Sequence, residues 1–192
     1  MKKMEEKILS EGTVLPGEIL KVGSFLNQRI DVEFLGEIGK EIASLYEDCG
    51  VTKILTVEAS GIAIAVAAAL EMGVPMVFAK KHRSSNVDGE VYSEKVHSYT
   101  HNHDYNMVVS RDYLKKEDVV LIVDDFLANG AALSGLCGLC SQAGSEVAGA
   151  AVAIEKKFQR GGDSLREKGI RIESLAMIDE MTDTELTFFR GE

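Results

Sequence analysis

Residues 119–132 read V-V-L-I-V-D-D-F-L-A-N-G-A-A. Val119 to Val123 form an unbroken apolar run with no polar face, which predicts a strand buried on both sides, as in a parallel sheet. Asp124 and Asp125 follow at its carboxyl end, and a short turn containing Gly130 leads into a helical pattern from Ala131 to Ala143. In open parallel sheets, ligands bind beyond the carboxyl ends of the strands. There the backbone amides of Ala128, Asn129, Gly130, Ala131 and Ala132 would converge at a helix N-terminus, whose free N–H groups and partial positive charge suit a phosphate. Gly130 would let the backbone approach the anion without a Cβ in the way. Two carboxylates beside an anion make sense only if something neutral or cationic separates them. Sugar hydroxyls donating to Asp124 and Asp125, or Mg²⁺ held through its waters, would do so, and a sugar phosphate meets both needs. An isolated Asp-Asp pair is more often a helix cap or a solvated pair. The buried strand before it and the glycine turn after it favour the site.

Outward from this stretch, the chain repeats apolar strand, polar turn and helix. Lys53 to Val57 and Pro75 to Ala79 read as strands, with a helix from Ile62 to Met72 between them that Gly73 closes. Val147 to Ile154 reads as the strand after the Ala131–Ala143 helix. Strands alternating with helices predict an α/β fold, a parallel sheet covered on both faces. Ahead of it, Glu5 to Ser10 suggests a short charged helix ending near Gly12. Asp31 is placed to cap a helix through Phe34, Leu35, Ile38, Ile42 and Leu45, whereas Gly17 to Ile30 fits no period. Residues 81–106 break the rhythm with a polar stretch that holds all four histidines, and Val91 to Val96 suggests a hairpin arm within it. A long polar excursion inside an α/β domain is usually a functional lid or a disordered segment. The tail beyond Gly161 carries apolar residues from Ile170 to Ile178 and again at Leu186, Phe188 and Phe189, suited to strands of a hood or to a dimer surface.

Composition sets limits on function. With 192 residues and 45% apolar content the chain can bury an ordinary core as one domain. The 21 basic residues against 31 acidic ones give a net charge of −10, which argues against holding nucleic acid through its phosphates. No apolar run approaches the roughly 18 residues of a membrane span, and the charged start lacks a signal-peptide pattern, so a cytoplasmic protein without membrane contact is expected. The three cysteines leave at least one thiol unpaired. Cys137 and Cys140 have zinc-ligand spacing without a second pair, so a buried helix face is expected rather than a metal site.

The 119–132 segment resembles the phosphoribosyl diphosphate motif of the type I phosphoribosyltransferases: an apolar run, two acids and a phosphate loop. Further matches carry the resemblance across most of the chain, into the xanthine-using branch of the purine enzymes. These are F-L-A-N-G-A-A, the opening G-x-V-L-x-x-x-x-L-K-V-x-S-F-L-N-x-x-I-D and A-x-x-I-E-K-x-F-Q. The resemblance implies a single domain over residues 1–192, with a core of about 37–156, a hood mainly from 1–36 and part of 157–192, and a flexible loop of about 82–105. It implies a purine salvage reaction joining xanthine to 5-phosphoribosyl diphosphate, accompanied by Mg²⁺, to give xanthosine 5′-monophosphate and diphosphate, and it implies a homodimer.

By the same resemblance Glu58, Ala59, Ser60 and Gly61 form a diphosphate loop, often built around a non-proline cis peptide, and Lys80 and Lys81 supply basic groups beside it. Asp124, Asp125 and Lys81 serve catalysis, residues 128–132 hold the 5′-phosphate, and no direct metal ligand is certain. Xanthine, with oxo groups at C2 and C6, needs donors at both. Lys156, which has three donors and no acceptor, would take the 6-oxo group, Asn27 the 2-oxo group, and Leu20 would pack on the ring. Phe126 and Phe158 either flank the base or pack in the core, and Glu90 and Glu94 could approach when the loop closes.

Asn129-Gly130-Ala131-Ala132 departs from the common Thr-Gly-x-Thr loop and leaves backbone amides in place of hydroxyls. Ala128 stands where a related branch has an acid near purine N7, so that acid–base role is absent; both departures agree with the xanthine branch. Two alternatives share the motif. One is a purine-operon regulator that senses phosphoribosyl diphosphate, which would need a DNA-binding domain in place of the roughly 50 residues before the first core strand. The other is a transferase preferring a different purine, with adenine disfavoured by Lys156.

Overall fold

The alternation of apolar runs and helices resolves into a central six-stranded sheet in the computed structural model, which describes residues 1–81, 89–98 and 103–191. Strands β3 (Lys53–Val57), β4 (Met76–Ala79), β7 (Val119–Leu127), β8 (Glu146–Lys156) and β9 (Ile172–Met181) run parallel, and β10 (Leu186–Phe188) closes one edge antiparallel to β9. The order across the sheet is β10-β9-β8-β7-β3-β4. The 119–132 segment therefore lies near the middle. Successive residues point to opposite faces of a strand. Leu121 and Val123 enter one apolar cluster, and Val120 and Ile122 enter the other, all four being fully buried.

Helices α2 (Val32–Leu45) and α3 (Gly61–Met72) cover the first face. Asp31 caps α2 as expected, accepting from the Phe34 N–H at 3.1 Å. The two helices cross closely at Gly39, where a Cβ would stand 2.7 Å from the Ala67 carbonyl. Helix α1 (Lys2–Glu11) adds Met4 and Ile8, one turn apart, to the same cluster, and the Gly12 N–H ends it on the Ile8 carbonyl at 2.9 Å. Hairpin β1 (Thr13–Leu15) and β2 (Ile19–Lys21) follows, and then one wide, π-type turn over Gly23–Asn27. That turn buries the adjacent Phe25 and Leu26, which explains why 17–30 shows no helical or strand period.

Helix α4 (Ala131–Ala143) covers the second face through Leu133, Leu136, Leu139 and Cys140. Part of the polar excursion is a paired hairpin. Strands β5 (Val91–Ser98) and β6 (His103–Ser110) pair antiparallel along their full length. Val96 and Met107 of this hairpin are buried against α4, and Gln142 clasps Ser93 through both its amide oxygen and nitrogen, at 3.2 and 2.9 Å. Gly135 and Gly138 leave the room, since Cβ atoms there would meet Val96 and Glu94 at 2.5 and 2.8 Å. The expected flexible loop of about 82–105 thus includes a docked hairpin, while 82–88 and 99–102 lie outside the described residues.

Two boundaries also differ. Strand β7 continues to Leu127 because β8 pairs with it as far as Leu127↔Glu155, so the acidic pair sits inside the strand and not after it. The tail joins the central sheet as β9 and β10, and the sheet extends beyond residue 156. Among the described residues, no helix is long and apolar enough to cross a membrane.

Candidate active site

Four neighbouring parallel strands end on the same side of the sheet, and the candidate residues leave from those ends. After β3 the Glu58–Ala59 peptide is cis, and the turn passes through Ser60 into α3. Gly61 lies against β7: a Cβ there would stand 2.2 Å from Thr56 Oγ1 and 2.8 Å from Asp124 Oδ1. After β4, Lys80 pairs its backbone with Val108 in both directions, and the Lys81 N–H donates to Glu58 Oε1 at 2.6 Å. The diphosphate-loop candidate and the lysine pair are thereby joined. The Lys81 ammonium lies 5.9 Å from the Tyr105 ring centre. It borders a cavity of about 220 Å³ whose opposite wall is residues 128–132.

Asp124 is 5% exposed and accepts from the Asp125 N–H at 2.9 Å. Burial, and then the neighbouring Asp125 charge, push its carboxyl well above the usual carboxylate range, with Lys81 pulling the other way. Asp125 points toward the hood, where Asn27 Nδ2 donates to its Oδ2 at 3.1 Å. Beyond β7, Gly130 takes φ +84° to open α4, and Asn129 Oδ1 accepts from the Ala131 N–H at 3.0 Å. The Asn129 side chain is thus turned onto its own loop, which leaves backbone amides as the principal donors to an anion.

Lys156 is the last residue of β8 and reaches back to the hood. Its Nζ donates to the Glu18 carbonyl at 2.7 Å and lies 5.8 Å from the Phe126 ring centre. Gln159 Nε2 donates to Glu18 Oε2 at 2.9 Å, so the β1–β2 turn is held from two directions. Burial lowers the Lys156 pKa, and the Glu18 charge opposes that. The end of β8 and the hood therefore carry the Lys156 and Asn27 donors, the end of β7 carries two carboxylates and the 128–132 turn, and the end of β4 carries the lysine pair.

A family profile for the phosphoribosyl transferase domain matches residues 32–182. The chain belongs to the phosphoribosyltransferase family. Curated relatives named xanthine phosphoribosyltransferase include one from Lachnoclostridium phytofermentans, 49% identical with all of both chains covered. Another, from Limosilactobacillus reuteri, is 47% identical over 99% of this chain and 100% of its own. A third, from Bacillus cereus, is 48% identical over 100% of this chain and 98% of its own. Among solved structures, the adenine phosphoribosyltransferase of Thermoanaerobacter pseudethanolicus superimposes with a TM-score of 0.75 at 21% identity, covering 91% of this chain and 99% of that one. That from Giardia lamblia, complexed with 9-deazaadenine, gives 0.77 at 22%, covering 91% and 97%. These likenesses establish the type I phosphoribosyltransferase fold.

Within this phosphoribosyltransferase, the remaining candidates are spread over the hood, the cavity wall and the docked hairpin. Leu20 is 7% exposed and belongs to the core cluster of Met4, Ile8 and Phe25. Phe126 and Phe158 both pack on the core, and Phe126 also lines the cavity. Glu94, on β5, lies against α4 and accepts from Gln142, and Glu90 pairs with Arg111 at 2.9 Å. Cys137 and Cys140 sit on α4, and burial holds both thiols up, Cys140 to about 12, which fits an inert helix face. Tyr105 escaped sequence reasoning. It faces Asp124 and Lys81 because the docked hairpin carries it there, and no local pattern marks it. Among the described residues no three His, Cys, Asp or Glu side chains converge on a cation position. Asp124 and Asp125 are the side chains here that could meet a magnesium-bound diphosphate through its waters.

Proposed function

We propose that the chain transfers the phosphoribosyl group of 5-phosphoribosyl diphosphate, taken as its magnesium complex, to xanthine, yielding xanthosine 5′-monophosphate and diphosphate in purine salvage. The observation that carries this reading is the layout of the strand ends: a donor pair at β8 and the hood, carboxylates on β7, an amide cradle after it, and a lysine-flanked turn after β3. The names of the full-length relatives support the choice of base.

In the reaction, purine N9 attacks ribose C1′ as the C1′–oxygen bond to diphosphate breaks, and the proton lost from the base passes to solvent. The chain needs no covalent nucleophile for this. The amides of residues 128–132 fix the 5′-phosphate, Asp124 and Asp125 accept from the ribose hydroxyls, and Lys80, Lys81 and the 58–61 turn meet the leaving diphosphate. Charge relief for the leaving group and alignment of N9 with C1′ supply the acceleration. Lys156 donates toward the 6-oxo group and Asn27 toward the 2-oxo group. Leu20, in the hood beside Asn27's segment, packs on the ring. The hood of residues 1–36 and a homodimer complete the reading, placed in the cytoplasm; α3 exposes Val66 and Leu70, one turn apart on its outer side, as a surface for the partner copy.

Absorbance-monitored turnover with magnesium, 5-phosphoribosyl diphosphate and each of xanthine, guanine, hypoxanthine and adenine tests this. Xanthine should be the preferred base, and Lys156→Ala should lower kcat/KM for it by about 100-fold, the loss of a charged hydrogen bond in a buried site. Adenine as the preferred base would overturn the pocket assignment. Tight binding of the sugar diphosphate without turnover of any base would favour a regulator of the same fold.

A further inference from the structure

The motif that continues past Lys156 has a second use for the fold. Gly161 lies directly behind the phosphate loop. Its N–H donates to the Ala128 carbonyl at 3.1 Å, and a Cβ added to it would fall 2.3 Å from Ala128 O and 2.4 Å from both Asn129 C and Gly130 N. The approach is mutual, because a Cβ on Gly130 would stand 3.2 Å from the Gly161 carbonyl. Two backbones touch here with no side chain between them.

What presses Gly161 forward is also defined. A Cβ on Gly162 would lie 2.0 Å from Glu155 Oε1 and 2.6 Å from Arg166 Nη1. Glu155 is 1% exposed and takes both prongs of the Arg166 guanidinium, at 2.8 and 2.7 Å, together with the Ser174 hydroxyl. A buried carboxylate held bidentately, with its other lone pairs used, is fixed in direction. Glu155 directly precedes Lys156. The pair therefore anchors one segment whose first residue donates toward the base and whose Gly161 backs the 5′-phosphate loop.

We propose that Gly161 is a positioning residue for the 5′-phosphate, and that the Glu155–Arg166 pair sets it and Lys156 as one rigid piece. This rests on the phosphate-loop assignment of the preceding section. A Cβ at Gly161 displaces residues 128–130, so the amides no longer converge; Lys156, five residues earlier at the end of β8, keeps its place.

Steady-state kinetics of Gly161→Ala separates this from a general folding role. KM for 5-phosphoribosyl diphosphate and the dissociation constant of ribose 5-phosphate should both rise about tenfold or more, while KM for xanthine at saturating sugar diphosphate moves less than about twofold. Gly36→Ala, in α2 with open space around it, serves as the control and should change neither. Arg166→Lys keeps the charge but loses the two-pronged bond, and should raise both KM values together. A Gly161→Ala enzyme with unchanged sugar-diphosphate KM and unchanged ribose 5-phosphate affinity overturns the proposal. Should that variant fail to fold, hydrogen exchange on the wild-type protein decides: the Gly161 amide should exchange more slowly once ribose 5-phosphate is bound, and unchanged exchange under saturation counts against the proposal. Absence of turnover in the wild type would instead count against the reaction assigned above, and leaves the binding and exchange results to judge Gly161 separately.

Discussion

Asp124 is where stability and function pull in opposite directions. Unfolded, its carboxyl titrates near 3.8; folded, burial and Asp125 hold the value well above that. The folded chain therefore binds this proton more tightly, and stability falls as pH rises from 3.8 through the folded value, above which the full penalty of the buried charge stands. Asp124→Asn removes that slope, while an amide oxygen still accepts from the Asp125 N–H. Thermal melts between about pH 4 and pH 8 should show the variant's midpoint drawing ahead of the wild type as pH rises, by roughly 2–4 °C for each kcal/mol. Turnover should drop by about 100-fold or more, since an amide is a weaker acceptor for a sugar hydroxyl. Equal pH slopes in the two proteins would remove burial as the cause.

At the scale of elements, the 58–61 turn and β7 are one unit joined at Gly61. Gly61→Ala puts a methyl into Thr56 Oγ1 and Asp124 Oδ1, so the turn must lift off the strand. We expect a loss of about 1–3 kcal/mol in chemical denaturation, typical of forced overpacking, together with turnover reduced beyond what the folded fraction accounts for. Turnover in proportion to folded protein would mean that the turn has no role beyond packing. Elements with a dense local signal were legible beforehand: the β3 and β7 apolar runs, the Asp31 cap, and Gly73 ending α3. The acid pair and the Gly130 turn into α4 were legible because strand, acids and glycine turn are contiguous. What was not legible is set by partners far along the chain. Leu127 is in a strand only because Glu155 pairs with it. Phe25 and Leu26 are buried side by side through a wide turn that has no periodic signature. Tyr105 and Gly161 earn their places through a docked hairpin and a backbone contact, which no nearby residue pattern announces.

The whole molecule adds a surface and a layout. Leu70 is 77% exposed and Val66 41%, on a helix otherwise packed into the domain. On the homodimer reading, Leu70→Glu should shift sedimentation from dimer to monomer at micromolar concentration, since a charge at the centre of an apolar contact is strongly unfavourable. A wild-type monomer under those conditions would dispose of the homodimer. The layout follows from strand order. β8, β7, β3 and β4 are consecutive, each about 4.8 Å from the next, and on the proposed assignment their ends meet base, ribose, diphosphate and its counter-charge in that sequence. Acceptor and donor are thus read by separate rows of one ruler. On that assignment acceptor choice is a separable trait: edits at the end of β8 and in the hood that spare the Glu155–Arg166 anchor and the Asn27–Asp125 contact can exchange one heterocycle for another, while the rows that grip the sugar and its leaving group are inherited intact.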